Sequence, residues 1–250
     1  MKSRWWKPGH HDNEGAGKFE KLLLTFQEIC QESVQFLLDE AFEDIEVYFS
    51  ELVTVKWQVG SQAIDTICLT IKDYFEDYQF LKQKNFDRVI TEAQDRVARK
   101  YITSMLQNNV LKRKITFNSE DERRTAAEKI KVEAAHCHSF FKDIAGDMAD
   151  FDSPFDTLTI LAEVLASDEE MLSLELGTLC KRYPDVTHEQ IFCLLLLRGD
   201  MSRGDAKQLT SEFVPEGGNS RTLHAKSVLS QVHVTSGLAD KLDKLNPFMN

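Results

Sequence analysis

Helix-breaking residues are scarce in this chain. No proline lies between Pro8 and Pro154, and after Gly17 the only glycines in that span are Gly60 and Gly146. Proline removes a backbone donor and clashes with the preceding turn, and glycine costs about 1 kcal/mol relative to alanine inside a helix. A span this poor in both residues favours long helices. It disfavours β-sandwiches and α/β enzymes, which need turn residues at short intervals.

Long apolar runs and paired cysteines are also missing. The longest apolar run, from Ile191 to Leu197, is far shorter than the roughly 20 residues that span a bilayer. Residues 1–9 lack the apolar core of a secretion signal. The five cysteines are widely spaced, without the close pairs of a zinc site or a disulfide framework. We therefore predict a soluble cytoplasmic protein with reduced thiols and no metal or cofactor.

Catalytic motifs are absent as well. The sequence has no phosphate-binding glycine loop, nucleophile elbow or dinucleotide fingerprint. Two Arg-Gly-Asp tripeptides begin at Arg198 and Arg203. An adhesion tripeptide acts only on an exposed extracellular loop, so we interpret the first as the end of a helix at Arg198-Gly199. We predict that the protein is not an enzyme.

The apolar residues that are present follow a helical period. One face recurs every three or four residues, the spacing of an α-helix; its members are Phe86, Ile90, Ala93, Val97, Tyr101 and Met105. Ser119 with Glu122 and Thr187 with Gln190 have the spacing of capping boxes, which begin helices, and Gly146 is suited to end one. We predict an all-α fold of stacked antiparallel helical bundles that form a rod.

The positions of helix-breaking and helix-capping residues predict four segments. Residues 1–17 are expected to be a disordered leader, 18–150 long-helix bundles with a junction near 56–60, 151–214 a smaller helical bundle, and 215–250 a linker with short helices. The first helix runs from Phe19 to about Val55, either unbroken or in two pieces that meet near Asp39. It starts without a partner for its apolar side, so we expect a fragment or a short isoform. Trp57, close to Gly60, should pack at the junction.

Charge is distributed unevenly along the chain. The net charge is -11, which argues against a nucleic-acid binder. Residues 19–55 carry nine acids and one base, whereas residues 96–131 carry ten bases and four acids. We predict that the basic stretch forms a surface for an acidic protein or an anionic lipid, although cations also stabilise helix carboxyl ends and solvated faces. The candidate residues are Arg96, Arg99, Lys100, Lys112, Arg113, Lys114, Arg123 and Arg124.

An ordered set of short segments resembles the exocyst complex component 3 (Sec6-like) family, which includes the paralogue M-Sec, in its carboxyl-terminal half. The resemblance covers roughly residues 19–213. It rests on Leu52-Val53-Thr54-Val55-Lys56-Trp57, Ile64-Asp65-Thr66-Ile67, Ile71-Lys72-Asp73-Tyr74-Phe75-Glu76-Asp77-Tyr78, Val97-Ala98-Arg99-Lys100-Tyr101, Asp121-Glu122-Arg123-Arg124-Thr125-Ala126-Ala127-Glu128-Lys129-Ile130, Arg182-Tyr183-Pro184-Asp185-Val186 and Leu197-Arg198-Gly199-Asp200.

This resemblance implies a function as well as a fold. It implies a CATCHR-like tethering fold and a non-enzymatic role in exocytosis, as vesicle tethering or membrane remodelling at the plasma membrane. The implied partners are exocyst subunits, SNARE proteins or small GTPases. The alternative is a peripheral membrane adaptor that binds anionic lipid through the basic surface, independently of the exocyst. Co-purification with exocyst subunits, or salt-sensitive binding to acidic liposomes, separates the two.

Overall fold

The computed structural model describes residues 13–107, 115–146, 148, 152–214 and 227–234. Within these ranges the chain forms nine α-helices and one short 3₁₀ helix. The helices are α1 (Asn13–Phe49), α2 (Val55–Gly60), α3 (Ala63–Tyr78), α4 (Gln83–Leu106), α5 (Glu120–Ala145), α6 (Asp156–Ala166), α7 (Glu169–Arg182), α8 (His188–Arg198) and α9 (Arg203–Phe213), and the 3₁₀ helix is Val228–Gln231. The described residues contain no strand, so the predicted all-α class is confirmed.

The first helix differs from the prediction at both of its ends. It starts at Asn13, so residues 13–17 of the predicted leader are helical; the remainder of that leader lies outside the described residues. It ends at Phe49 and is unbroken at Asp39, whose side chain is exposed and interrupts nothing. The turn that follows brings Val53 into the left-handed region, with φ of 53°.

Helix α4 lies at the centre of the helical packing. It contacts α1 on one side, α5 and α8 on others, and the 3₁₀ helix near its carboxyl-terminal half. Helix α3 packs against α1 and α5, α6 joins α5 to α7 and α8, and α9 covers α7 and α8. The buried apolar residues of all these helices form one continuous core, which runs from Val34 to Val232.

The predicted apolar face of α4 is confirmed by burial. Ile90, Ala93, Val97, Tyr101 and Met105 are all buried, and Phe86 packs at the margin of the core. A helix with neighbours on several sides needs apolar residues beyond a single stripe. For this reason Val89, Ala98, Ile102 and Leu106 are buried as well.

Trp57 is buried, as predicted, whereas the junction of two bundles near residues 56–60 stays a prediction. Thr54 caps the short helix α2 by accepting a hydrogen bond from the Trp57 backbone N–H. The indole Nε1–H of Trp57 donates to both carboxylate oxygens of Glu133 on α5, at 3.0 Å each, and the Tyr101 hydroxyl on α4 donates to Glu133 Oε2 at 2.5 Å. Burial raises the pKa of Glu133 above its usual value, although these donors lower it in part.

Helix ends follow the predicted capping chemistry. Ser119 with Glu122 begins α5 and Thr187 with Gln190 begins α8, and both pairs make the reciprocal hydrogen bonds of a capping box. Gly146 ends α5 with a positive φ of 55°, which glycine adopts without steric cost.

Candidate interaction surfaces

Two of the predicted cations hold α4 against α1. Arg96 forms an ion pair with Asp39 at 2.7 Å, and its guanidinium lies 4.5 Å from the centre of the Phe42 ring. Lys100, one turn further along α4, pairs with Glu46, and its ammonium lies over the ring of Phe49 at 5.6 Å. Two cations of the basic stretch therefore pair with two acids of the acidic stretch where α1 and α4 pack together.

A third cation of α4 points to a different neighbour. Arg99 pairs with Glu92 on its own helix at 2.7 Å and donates a hydrogen bond to Gln231 of the 3₁₀ helix. Gln107, at the end of α4, reinforces this connection by donating to the backbone carbonyl of His233 at 2.7 Å. Arg99 thus ties residues 227–234 to the helical body.

Arg123 does not lie on the surface, contrary to the prediction that it forms part of an exposed basic face. It is only 7% exposed; its Nη2 is 3.3 Å from Asp200, and its Nη1 donates to the carbonyl oxygens of Phe117 and Asn118. An unpaired buried guanidinium would be unstable, so the fold surrounds it with a carboxylate and backbone oxygens. This role could not be inferred from the local sequence, because Asp200 is far away along the chain.

Arg124 is the candidate that remains exposed. It pairs with Glu120 on the preceding turn of α5 at 2.5 Å, in a contact open to solvent. The three remaining candidates, Lys112, Arg113 and Lys114, lie outside the described residues. Their role in binding stays a prediction, as does that of the whole basic set.

The first Arg-Gly-Asp tripeptide forms the end of helix α8, as predicted. Gly199 ends α8 in the left-handed conformation, with φ of 71°. The side chain of Arg198 is fully buried, where it forms a bidentate pair with Asp200 at 2.6 and 3.1 Å and donates to the carbonyl oxygens of Val164 and Leu165 at the end of α6. The tripeptide therefore joins α6 and α8 rather than being displayed.

An open, acidic cleft lies next to this tripeptide. It has a volume of about 950 Å³ and is bounded by the first turns of α5 and α7, the 198–202 turn and α9. Its walls carry Glu120, Asp168, Glu169, Asp200, Asp205 and Glu212, whereas its two arginines, Arg123 and Arg198, are already paired. The cleft is therefore a negatively charged surface.

The amino-terminal half of α1 carries an exposed apolar stripe. Phe19, Leu22, Phe26, Ile29 and Phe36 are between 51% and 79% exposed. With Ser33 between Ile29 and Phe36, the spacing along the stripe alternates between three and four residues, which is typical of a helix that packs along a second helix. The sequence predicts a helix whose apolar side has no partner, and this spacing is the signal that points to these residues.

Helices that could cross a membrane are not found in the described part of the chain, because none is both long and apolar enough.

Comparison with known proteins identifies the family. A family model described as exocyst complex component Sec6 matches residues 1–203. This chain belongs to the Sec6 family. Exocyst complex component 3 of Drosophila melanogaster is 37% identical over 208 residues, which are 83% of this chain and 27% of the fly protein. Exocyst complex component 3 of Caenorhabditis elegans is 27% identical over 192 residues, or 73% of this chain and 23% of that protein.

Paralogues and a solved structure agree with this assignment. The exocyst complex component 3-like protein of Mus musculus is 25% identical over 77% of this chain and 25% of its own length. The crystal structure of M-Sec matches with a TM-score of 0.72 at 15% identity, covering 88% of this chain and 36% of that chain, which confirms the predicted helical-rod fold. This Sec6-family chain spans about a quarter of the length of the curated relatives.

Proposed function

We propose that this chain is a tethering module that acts in exocytosis through protein–protein contacts, without catalysing a reaction. The observation that carries the proposal is the 37% identity to an exocyst complex component 3 over 83% of the chain. The proposed partners are other exocyst subunits first, and SNARE proteins or small GTPases second. The proposed location is the cytoplasmic side of the plasma membrane, where the chain is held peripherally.

The fold suits a module that holds partners in place. Long helices present extended surfaces on a rigid core, and the described ion pairs between α1 and α4 stiffen the amino-terminal part. Membrane remodelling, which the family resemblance implies, remains a related proposal; the likeness to M-Sec at 15% identity supports the fold alone.

Affinity purification tests the proposal directly. The full chain, tagged and expressed at low level, is purified from cells, and exocyst subunits are quantified by mass spectrometry against the tag alone. We expect several exocyst subunits to be enriched together. A purification that retains a folded chain but enriches none of them would contradict the proposal.

The lipid alternative is tested in parallel with purified components. Liposomes of phosphatidylcholine, with and without phosphatidylserine and phosphatidylinositol bisphosphate, are sedimented with the chain at low and high salt. Binding through a basic surface would require the anionic lipid and would weaken with salt. Each candidate cation of the basic surface that the structure describes is paired with a carboxylate, which reduces the positive charge available to a lipid headgroup.

A further inference from the structure

Helix α1 carries a seam of exposed apolar residues, here called the α1 seam: Phe19, Leu22, Phe26, Ile29 and Phe36, with Ser33 at the one polar position. Consecutive members are separated by three, four, three, four and three residues. This is the heptad spacing of the a and d positions of a coiled coil, where one helix packs along another. The seam covers residues 19–36, or about five helical turns.

The seam is not an extension of the core face of the same helix. Helix α1 packs on the body through Val34, Leu38 and residues further along. Phe36 lies two residues from each of these, and because each helical residue turns by about 100°, positions two apart point to nearly opposite sides. Phe36 is accordingly 79% exposed while Val34 and Leu38 are buried. The α1 seam therefore faces away from the described body of the protein.

Isolated exposed apolar residues need no explanation, but a contiguous row of large ones marks an interaction site. Leu23 and Leu24 are also exposed and widen the row. The charges around the seam decide what kind of partner fits it.

The exposed charges beside the α1 seam are mostly acidic. Between residues 19 and 36 the acids are Glu20, Glu28 and Glu32, and the base is Lys21. A second copy of the helix would bring two acidic flanks together, and like charges at the flanks of a coiled coil disfavour pairing. A helix with basic flanks would be attracted along its length.

We propose that the α1 seam binds an amphipathic helix of a partner protein, which has apolar residues at heptad spacing and lysine or arginine on its flanks, and forms a two-stranded coiled coil with it. The apolar residues supply the burial, and the charges select the partner and its register. This proposal does not require the partner to be an exocyst subunit, so it is tested independently of the proposed function.

Two synthetic peptides of about four heptads test the proposal. Both carry leucine and isoleucine at the seam positions; one has lysine at its flanks and the other glutamate, so that neither pairs well with itself. Binding of each labelled peptide to the full chain is measured by fluorescence anisotropy at low and high salt. We expect the lysine peptide to bind at least tenfold more tightly than the glutamate peptide, with a difference that shrinks in salt.

Variants of the chain supply the controls. Leu22→Ser/Phe26→Ser/Ile29→Ser should weaken binding of the lysine peptide at least tenfold, with an unchanged circular dichroism spectrum because these side chains are exposed. The matched control, Leu69→Ser/Leu174→Ser, removes exposed leucines outside the seam and should bind like the wild type. Glu28→Lys/Glu32→Lys should reduce the preference for the lysine peptide or reverse it.

Four outcomes would overturn the proposal. The first is equal binding of the two peptides, and the second is a seam variant that binds as tightly as the control. A wild-type chain that binds neither peptide and sediments as a dimer, which the seam variant converts to a monomer, would identify a second copy as the occupant. The last is a wild-type monomer that binds neither peptide and whose amides at residues 19–36 exchange more slowly than those of the seam variant. That result would show that another part of its own chain covers the seam.

Discussion

Glu133 joins three helices at the residue scale. Its carboxylate accepts hydrogen bonds from Trp57 of α2 and Tyr101 of α4, and the Lys129 ammonium, one turn away, lies 4.7 Å from the Trp57 ring centre and donates to the Trp57 backbone carbonyl. The position of Trp57 could be predicted from the apolar residues before it and the glycine after it. Glu133 could not, because its partners are brought to it by helix packing.

The indole of Trp57 should contribute both packing and hydrogen bonds to stability. Trp57→Ala should lower the free energy of unfolding by about 3–5 kcal/mol, since it empties a fully buried site. Trp57→Phe keeps a ring but removes the donor to Glu133, and should cost about 1–3 kcal/mol. Urea denaturation followed by circular dichroism measures both. Phe80→Ala, at an exposed position, is the control; equal stability of the alanine variants would contradict the assigned burial.

Gly199 should tolerate no side chain. A Cβ there would lie 2.6 Å from Asn118 Oδ1 and 3.0 Å from Thr116 Cβ, and φ of 71° disfavours any L-residue. Gly199→Ala should therefore destabilise by about 1–3 kcal/mol. Gly177 lies inside α7, and a Cβ there would meet only the Phe213 side chain, at 3.8 Å. Gly177→Ala should therefore leave the melting temperature unchanged or raise it. Thermal unfolding that ranked the two variants in the opposite order would contradict this local geometry.

Asp95 should make stability depend on pH. Burial raises its pKa from 3.8 to about 6, opposed by Arg99 and assisted by the carboxylates of Glu92 and Asp152. The folded state thus binds this proton more tightly than the unfolded state, so the stabilising contribution is complete below pH 3.8 and is lost as the pH rises through about 6. Asp95→Asn should raise the free energy of unfolding at pH 7, and the gain should shrink at pH 4.5. A gain that is constant between the two pH values would rule out this assignment.

At the scale of helices, local sequence predicted where α5 and α8 begin and end, but not the ends of α1. Both capping boxes and Gly146 are confirmed because their hydrogen bonds involve residues within one turn. The pairing of the cations was not predictable in the same way. Arg96 and Lys100 meet acids of α1 only because α1 and α4 pack side by side. The sequence shows which residues are charged but not how far apart they lie in the folded chain.

Charge reversal should separate the packing role of these cations from a binding role. Arg96→Glu would place a carboxylate beside Asp39 and remove the contact with Phe42, so it should destabilise by about 1–2 kcal/mol. Arg124→Glu, at an exposed pair with Glu120, should change stability by less than about 0.5 kcal/mol. Urea denaturation checks both values.

Arg124→Glu is therefore the cleaner probe of the predicted basic surface. If this variant stays folded and still binds the same partners and anionic liposomes as the wild type, Arg124 is only a solvated side chain. Loss of binding in Arg96→Glu alone would be uninformative unless its stability were also unchanged.

At the scale of the whole molecule, one continuous core crosses the predicted division between residues 150 and 151. Helix α4 of the first predicted bundle contacts α8 of the second, and α5 packs extensively on α6 across the division. The helical segments on either side were visible in the sequence as a change from long to short helices. The contacts between them were not, since they depend on how the segments fold back on one another.

A continuous core should unfold as one cooperative unit. We expect the described residues between 34 and 214 to lose structure together in urea, because contacts between α4 and α8 and between α5 and α6 join the two predicted bundles through one core. Native-state hydrogen exchange should give similar opening free energies for the buried amides of α3 and α8, and lower ones for residues 19–33 of α1, which lie outside the core. Opening free energies of α3 that are clearly different from those of α8 would instead show that the two predicted bundles are separate folding units.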